Sequence, residues 1–383
     1  MDNLSVTESD GCSGKSEDGR RVRDRPHWTV PKGDPVATLL ARGARRLSLR
    51  HIRRLTAVPP SAAPPRVRAV YDQVETEFGM LAPPVALHAA APEVLDAVWL
   101  MLRETLLAGR PGDRAEKEAV AAAVSAANSC PYCTEVHGAA LAGLRPGADA
   151  RLIAGGRVEE VRDPRLRSLA RWARDGRPPP PDVGPSGRAA AIGVAVTFHY
   201  LNRMVNIFLE DSPLAGAPAV PRAVGRRAAP RLFGRLARTR VVPGRPATTP
   251  HLPGDLTWAA PIASIGDAMV RACAAIEAAG AAVLPGAVRD LVEARLDDPR
   301  ECGPGLGLRP WADAALRDLP EEQRAVGRLA LLAAYASSRV ADADIAAVRA
   351  AGLGDGALVR LTAWASMAAA RRAGRVLSAG GTG

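Results

Sequence analysis

Apolar residues recur at three- and four-residue steps over Val67 to Phe78 and Pro92 to Ala108, the period of helices that bury one face. The same period returns at Arg165 to Arg174, Arg188 to Glu210, Ile265 to Ala279, Ala287 to Leu296, Pro320 to Ser337 and Asp355 to Leu377. Proline and glycine punctuate the gaps, where a helix has to stop. Nowhere does the chain alternate apolar and polar positions over the length of a strand, so the pattern predicts an all-α protein. One stretch is richer in helix formers than the rest. Ala119 to Ala127 is alanine and valine with a single serine, which makes a helix slim enough to pack closely on a neighbour. Asn128 and Ser129 then offer side chains for a helix N-terminus, and Pro131 fits only a first turn, so a second helix is expected from about Cys130.

Composition narrows the architecture. A chain of 383 residues is long enough for two domains with sizeable cores. Aromatic residues make up 4% and apolar residues 47%, so those cores are built from alanine, leucine and valine, which suits closely packed helices. The formal charge of +11 is carried by arginine, with only Lys15, Lys32 and Lys117 as lysines. Abundant Ala, Arg, Gly and Pro point to a coding bias, so the charge is read as a solubility property and no nucleic-acid partner is expected. The organisation expected is a flexible basic extension over 1–60, a helical domain over 61–212, a Pro/Arg-rich linker over 213–257 with a short helix at Arg231 to Arg238, and a second helical half over 258–383.

The most apolar run, Ala189 to Leu209, is interrupted by His199, Asn202, Arg203 and Asn206, so no transmembrane segment is expected. Those four residues form one polar stripe on an apolar helix and are read as a structural or interface feature. Five cysteines are too few and too unevenly placed for a secreted disulfide framework, and the polar N-terminus lacks an apolar signal core. A reducing cytoplasm is the expected setting.

Four residues carry the chemistry: Glu118, Cys130, Cys133 and His137. Cys133 falls in the first turn of the second helix, where free N–H groups and the helix dipole favour a thiolate. His137 lies four residues on, on the same face, within proton-exchange reach of the sulfur. Cys130 is close enough to close a disulfide on an oxidised Cys133. Glu118 faces His137 only if the two helices pack antiparallel, and it then fixes the imidazole tautomer. Other readings of C-x-x-C were weighed. A zinc half-site would use His137 as a third ligand and leaves the fourth unidentified. A glutaredoxin-type dithiol needs a strand before it, where this chain has an alanine helix. Two inert buried cysteines are the third reading.

The pattern E-x(11)-C-x-x-C-x-x-x-H resembles the proton-relay motif of AhpD-like alkylhydroperoxidases, within the carboxymuconolactone decarboxylase superfamily. The stretches RAVYDQVETEFGMLAPPVALHA and FHYLNRMVNIF are similar to helices flanking that motif, so the resemblance covers residues 61 to 212. It implies an AhpD-like helical bundle in which Cys133 is the peroxidatic cysteine, Cys130 the resolving one, and Glu118 with His137 the relay. Tyr132 stands where such proteins can carry a histidine. The implied activity is thiol-dependent reduction of hydroperoxides, with a lipoyl or thioredoxin-like dithiol partner and no metal, flavin or nucleotide cofactor. The rival readings are a non-catalytic thiol redox sensor or oligomerisation scaffold, and a lactone decarboxylase.

The second half reads as a worn copy of the first. Sliding AVAAAVSAANSC onto GRLALLAAYASS sets Ser338 opposite Cys130, Ala341 opposite Cys133 and Ile345 opposite His137, so the chemistry would be absent there. Two rival registers match Leu166 with Leu358 and Arg203 with Arg372. A pseudo-symmetric monomer or a homo-oligomer is expected on this basis.

Overall fold

Prolines start many of the helices. Pro65, Pro83, Pro92, Pro131 and Pro164 each stand at the first helical position, where the missing N–H costs nothing. The computed structural model describes residues 45–176, 183–213, 222–246, 248–298, 303, 305 and 307–379. The polar N-terminus and residues 1–44 of the expected basic extension lie outside that description.

The helices in chain order begin with α1 (45–50), α2 (Pro65–Phe78), α3 (Pro83–Ala86) and α4 (Pro92–Leu102). The centre comprises α5 (Arg114–Ala127), α6 (Pro131–Leu144), α7 (Asp149–Ala154), α8 (Pro164–Asp175) and α9 (Gly184–Phe208). After α10 (Arg222–Leu236) come α11 (Ala263–Ala281), α12 (Gly286–Asp297), α13 (Leu308–Ala315), α14 (Glu321–Tyr335), α15 (Asp342–Ala350) and α16 (Asp355–Ala379). Among the described residues the only extended pairings are two isolated bridges, Ile52 with Leu209 and Ala108 with Val241. The protein is an all-α bundle. Among the described residues no helix is long and apolar enough to cross a membrane.

Alanine-rich faces set the packing. Ala119, Ala121, Ala122 and Ala123 on α5 are all buried, and α6, α8 and α9 lie against that helix. Aromatic residues fill what the small side chains leave, with Tyr71, Trp172, Phe198, Tyr200, Phe208 and Trp364 fully buried. The hydrophobic core is continuous from α2 to α16. It includes two long-range pairings, α9 with α16 and α4 with α11. Both α9 and α16 are 25 residues long. α5 ends at Ala127 and α14 at Tyr335, which are partners in the first of the three alignments above.

Two local departures shape the site. α4 does not stop at Leu102 but runs on as a π-helical turn, Arg103–Leu107, closed by the Ala108 N–H donating to the Arg103 carbonyl at 2.8 Å. The wider turn inserts an extra residue per turn and re-aims the side chains that follow. α10 is longer than the short helix expected at Arg231 to Arg238 and carries Pro230 inside it. It packs closely on α6 at that proline. Gly143 and Gly234 meet so closely that a Cβ on Gly143 would lie 2.0 Å from the Pro230 carbonyl oxygen. Arg238 adds a guanidinium hydrogen bond to the Gly143 carbonyl at 2.7 Å.

Candidate active site

The α5–α6 hairpin brings together all four residues singled out by the sequence. The two helices run antiparallel about a short turn, and Glu118 Oε2 accepts a hydrogen bond from His137 Nδ1 at 2.7 Å. Glu118 is 1% exposed, and its other oxygen accepts from Arg114 Nε at 2.7 Å. Burial by itself would raise the Glu118 pKa, but the charges of Arg114 and His137 and their hydrogen bonds outweigh it and hold the carboxyl below its ordinary value. A carboxylate only accepts, so Nδ1 of His137 is the donor in this bond and Nε2 is the nitrogen turned away from Glu118. Phe198 on α9 meets the imidazole edge-on, with ring centroids 4.5 Å apart, and fixes its plane.

The turn before the cysteines is built differently from the expectation. Neither Asn128 nor Ser129 caps α6; the N-cap residue is Cys130, and no side-chain cap is present. Ser129 adopts a left-handed backbone, φ +51°, which swings the chain round so that the Cys130 N–H donates to the Ser125 carbonyl at 2.9 Å. Asn128 turns instead to α9, donating to Asn202 Oδ1 at 3.0 Å and lying 3.1 Å from His199 Nδ1. Asn202 donates to Ser125 Oγ at 3.0 Å. Asn206 donates to the Asn128 carbonyl and to Ser337 Oγ, both at 3.1 Å, and Arg203 Nε donates to the Ala334 carbonyl at 3.0 Å. The polar stripe on α9 therefore ties the cysteine turn on one side to the second half on the other.

Cys130 and Cys133 are free thiols, both buried. Burial first, and then its neighbour Cys133, push the Cys130 thiol well above the ordinary value, so Cys130 keeps its proton. Cys133 sits in the first turn of α6, where the helix N-terminus favours negative charge. The two cysteines open on different spaces. Cys133 and His137 line an apolar cavity of about 490 Å³ whose walls include Phe78, Leu102, Leu106, Phe198 and Phe233, and among the described residues no Arg, Lys, Asp or Glu lines it. Cys130 borders a wider groove of about 900 Å³ with Ser129, Thr134, Glu135 and Arg151. α10 contributes Ala229 to both.

Several contributors were not singled out from the sequence. Arg114 stands one helical turn before Glu118, a spacing that could have pointed to it. Phe198 and the re-aimed Leu106 belong to distant elements and carry no sequence signal. His51 reaches the cavity from the basic segment ahead of the helical domain. His88 is fully buried away from the relay, with Nε2 3.0 Å from the Tyr200 hydroxyl. Among the described residues, no three His, Cys, Asp or Glu side chains gather as a metal site.

Comparison with known proteins follows the same residues. Residues 92–175, which span the motif, match the model of the carboxymuconolactone decarboxylase family. The chain is 35% identical over 343 residues, 88% of its own length and 97% of the relative's, to a protein of Mycobacterium tuberculosis named alkyl hydroperoxide reductase. No solved structure matches it. With the hairpin and its flanking helices in one bundle, the chain belongs to the AhpD-like and carboxymuconolactone decarboxylase superfamily.

Proposed function

We propose that the protein is a cytoplasmic thiol-dependent peroxidase that reduces hydroperoxides through Cys133 and Cys130. The observation that carries this reading is the joint opening of Cys133 and His137 onto one apolar cavity, with Glu118 behind the imidazole. The name of the Mycobacterium relative supports the same activity class.

In this reading Nε2 of His137 takes the proton of Cys133, and the Cys133 thiolate attacks the distal oxygen of the hydroperoxide. An S–O bond forms as the O–O bond breaks, and the alkoxide leaves as the alcohol after taking the proton from His137. Cys130 then attacks the Cys133 sulfenic acid, forming the disulfide and expelling water that carries away the Cys130 proton. A dithiol of the lipoyl or thioredoxin type reopens the disulfide and is itself oxidised. Residues 258–383 act in this proposal as an internal structural partner without chemistry. Lactone decarboxylation gains less support, because among the described residues no arginine or lysine lines the cavity to receive a carboxylate.

The test is stopped-flow reaction of reduced protein with cumene hydroperoxide and hydrogen peroxide, beside Cys133→Ser and Cys130→Ser, with intact mass at each time point. Loss of two hydrogens in the wild type, a trapped sulfenic acid in Cys130→Ser and silence in Cys133→Ser are expected. Silence in all three sinks the reading. Disulfide formation without turnover in the presence of a dithiol would replace it with a redox sensor.

A further inference from the structure

Three of the five large hydrophobic side chains that are exposed among the described residues, Leu47, Val224 and Leu232, stand on α1 and α10. Both helices wall the cavity that holds Cys133 and His137, α1 through Leu47 and Ser48 and α10 through Ala228, Leu232 and Phe233. A residue that lines a cavity and also meets solvent stands at its mouth. Leu47, 41% exposed, and Leu232, 54% exposed, are two such residues, and the exposed Ala228 is a third. The mouth is thus framed by two helices that hold apolar side chains in water, where burial against another surface would be favourable.

Arginines run beside these apolar positions. On α1, Arg46, Leu47 and Arg50 are all exposed and share one face at three- and four-residue offsets. On α10, Val224, Ala228 and Leu232 form one exposed line at four-residue steps, and Arg227, Arg231 and Arg235 form the neighbouring exposed line. Arg45 is held by Glu75, whereas none of Arg46, Arg50, Arg227, Arg231 and Arg235 pairs with a carboxylate among the described residues. Local partners are scarce in the sequence itself: there is no Asp or Glu between Asp34 and Asp72, nor between Asp211 and Asp255.

A bilayer with anionic headgroups complements both features at once. The headgroups receive the guanidiniums, and the boundary of the acyl chains receives the leucines and the valine. A nucleic acid would answer the charge and leave the leucines in water. We propose that α1 and α10 form a docking surface for an anionic lipid bilayer, with the mouth of the cavity turned toward the membrane. Apolar molecules dissolved in the bilayer then enter the cavity without crossing water. That they include lipid hydroperoxides rests on the peroxidase reading; the docking does not, and it is measured on unoxidised lipid.

The experiment is co-sedimentation of reduced full-length protein with vesicles of saturated phosphatidylcholine, either alone or with about one third phosphatidylglycerol. Wild type should bind the mixed vesicles at least about tenfold more tightly than the neutral ones, and about 0.5 M salt should release it. Arg227→Gln, Arg231→Gln and Arg235→Gln together should weaken binding about 100-fold, at about fivefold each. Leu47→Ser with Leu232→Ser leaves the charge unchanged and should weaken it about five- to twentyfold. Arg309→Gln with Arg317→Gln removes two exposed arginines on and after α13 and should stay within about threefold of wild type. If the triple variant does not fold, Arg231→Gln with Arg235→Gln decides, with a loss of about 25-fold expected. Wild type that ignores mixed vesicles, a leucine pair without effect, or equal losses per arginine on α10 and α13 would each overturn the proposal. So would retention of a DNA duplex in place of vesicles, or a dimer that the leucine pair dissolves in a protein that binds no vesicles. Vesicle binding with the expected pattern, by a protein that consumes no hydroperoxide, would leave the docking surface standing and remove the peroxidase reading instead.

Discussion

Glu118 holds His137 by Nδ1 at 2.7 Å while Arg114, one turn earlier on the same helix, holds the carboxylate's other oxygen at the same distance. The carboxylate is thus a fixed negative charge between two donors, and the imidazole it orients presents its free nitrogen away from the pair. Glu118→Gln keeps the shape and removes the charge. Sulfenic acid formation at Cys133 should slow about 10- to 100-fold, in line with the loss of an oriented base. Stability should fall by about 3 kcal/mol, because Arg114 stays buried without its counter-charge. Stopped-flow rates with urea melts check both effects, and an unchanged rate would remove Glu118 from the relay.

Acid should destabilise the fold early. Burial lowers His88 to about 4, and burial with the Arg203 charge lowers His199 to about 3. Below the ordinary histidine value of about 6.5 the unfolded chain binds protons that the folded chain refuses, so stability drops as pH falls through that window and levels off below the folded values. From pH 6.5 to 5 the cost is about 1.5–2 kcal/mol per histidine. Glu118, whose pKa is lowered, loses stability in the same direction. His88→Gln should remove roughly half of the histidine-linked slope. A flat urea midpoint between these pH values would contradict the buried, neutral assignment.

Helix α10 should be dislodged by a single methyl group. A Cβ at Gly143 would lie 2.0 Å from the Pro230 carbonyl oxygen and 2.6 Å from Gly234 Cα, both backbone atoms that cannot swing aside. Gly143→Ala is expected to cost about 1–3 kcal/mol and to expose α10 to protease. Gly286→Ala, whose Cβ meets nothing within 4 Å, is the control and should be neutral or slightly stabilising. Equal cleavage of both variants would show that the crossing does not hold the helix.

Asn202 should separate the two chemical steps. It is fully buried and hydrogen-bonded to Asn128 and Ser125. Asn202→Ala should lower stability by about 2–3 kcal/mol by leaving those partners unpaired. Because Asn202 holds Ser125 and Asn128, the turn whose Ser125 carbonyl accepts from the Cys130 N–H, disulfide closure should slow while the first oxidation of Cys133 keeps its rate. Quenched-flow mass spectrometry resolves the two, and equal slowing would count against this division.

The helices were legible in the sequence because their signals are local: prolines at first turns, a 3.6-residue period and a run of alanine before the cysteines. So were Glu118, Cys130, Cys133 and His137, since a hairpin of two helices converts sequence spacing directly into proximity. His51 and Phe198 were not legible, because they reach the cavity through long-range contacts that leave no periodicity. The Asn128–Ser129 turn misled for a related reason. Both are good capping residues, but the α9 side chains gave Asn128 better partners than the α6 N-terminus, and Ser129 took the left-handed bend that a tight turn required.

Cys133 and Cys130 look out from α6 into separate spaces, an apolar cavity and a wider groove. In a double-displacement cycle run through a single opening, oxidant and reductant obstruct one another, and each inhibits at high concentration. Here the alcohol can still occupy the cavity while a dithiol approaches from the groove. Initial rates should therefore rise to a plateau in each substrate without mutual competitive inhibition, and a fall in rate at high hydroperoxide that added reductant reverses would show that the two share one door.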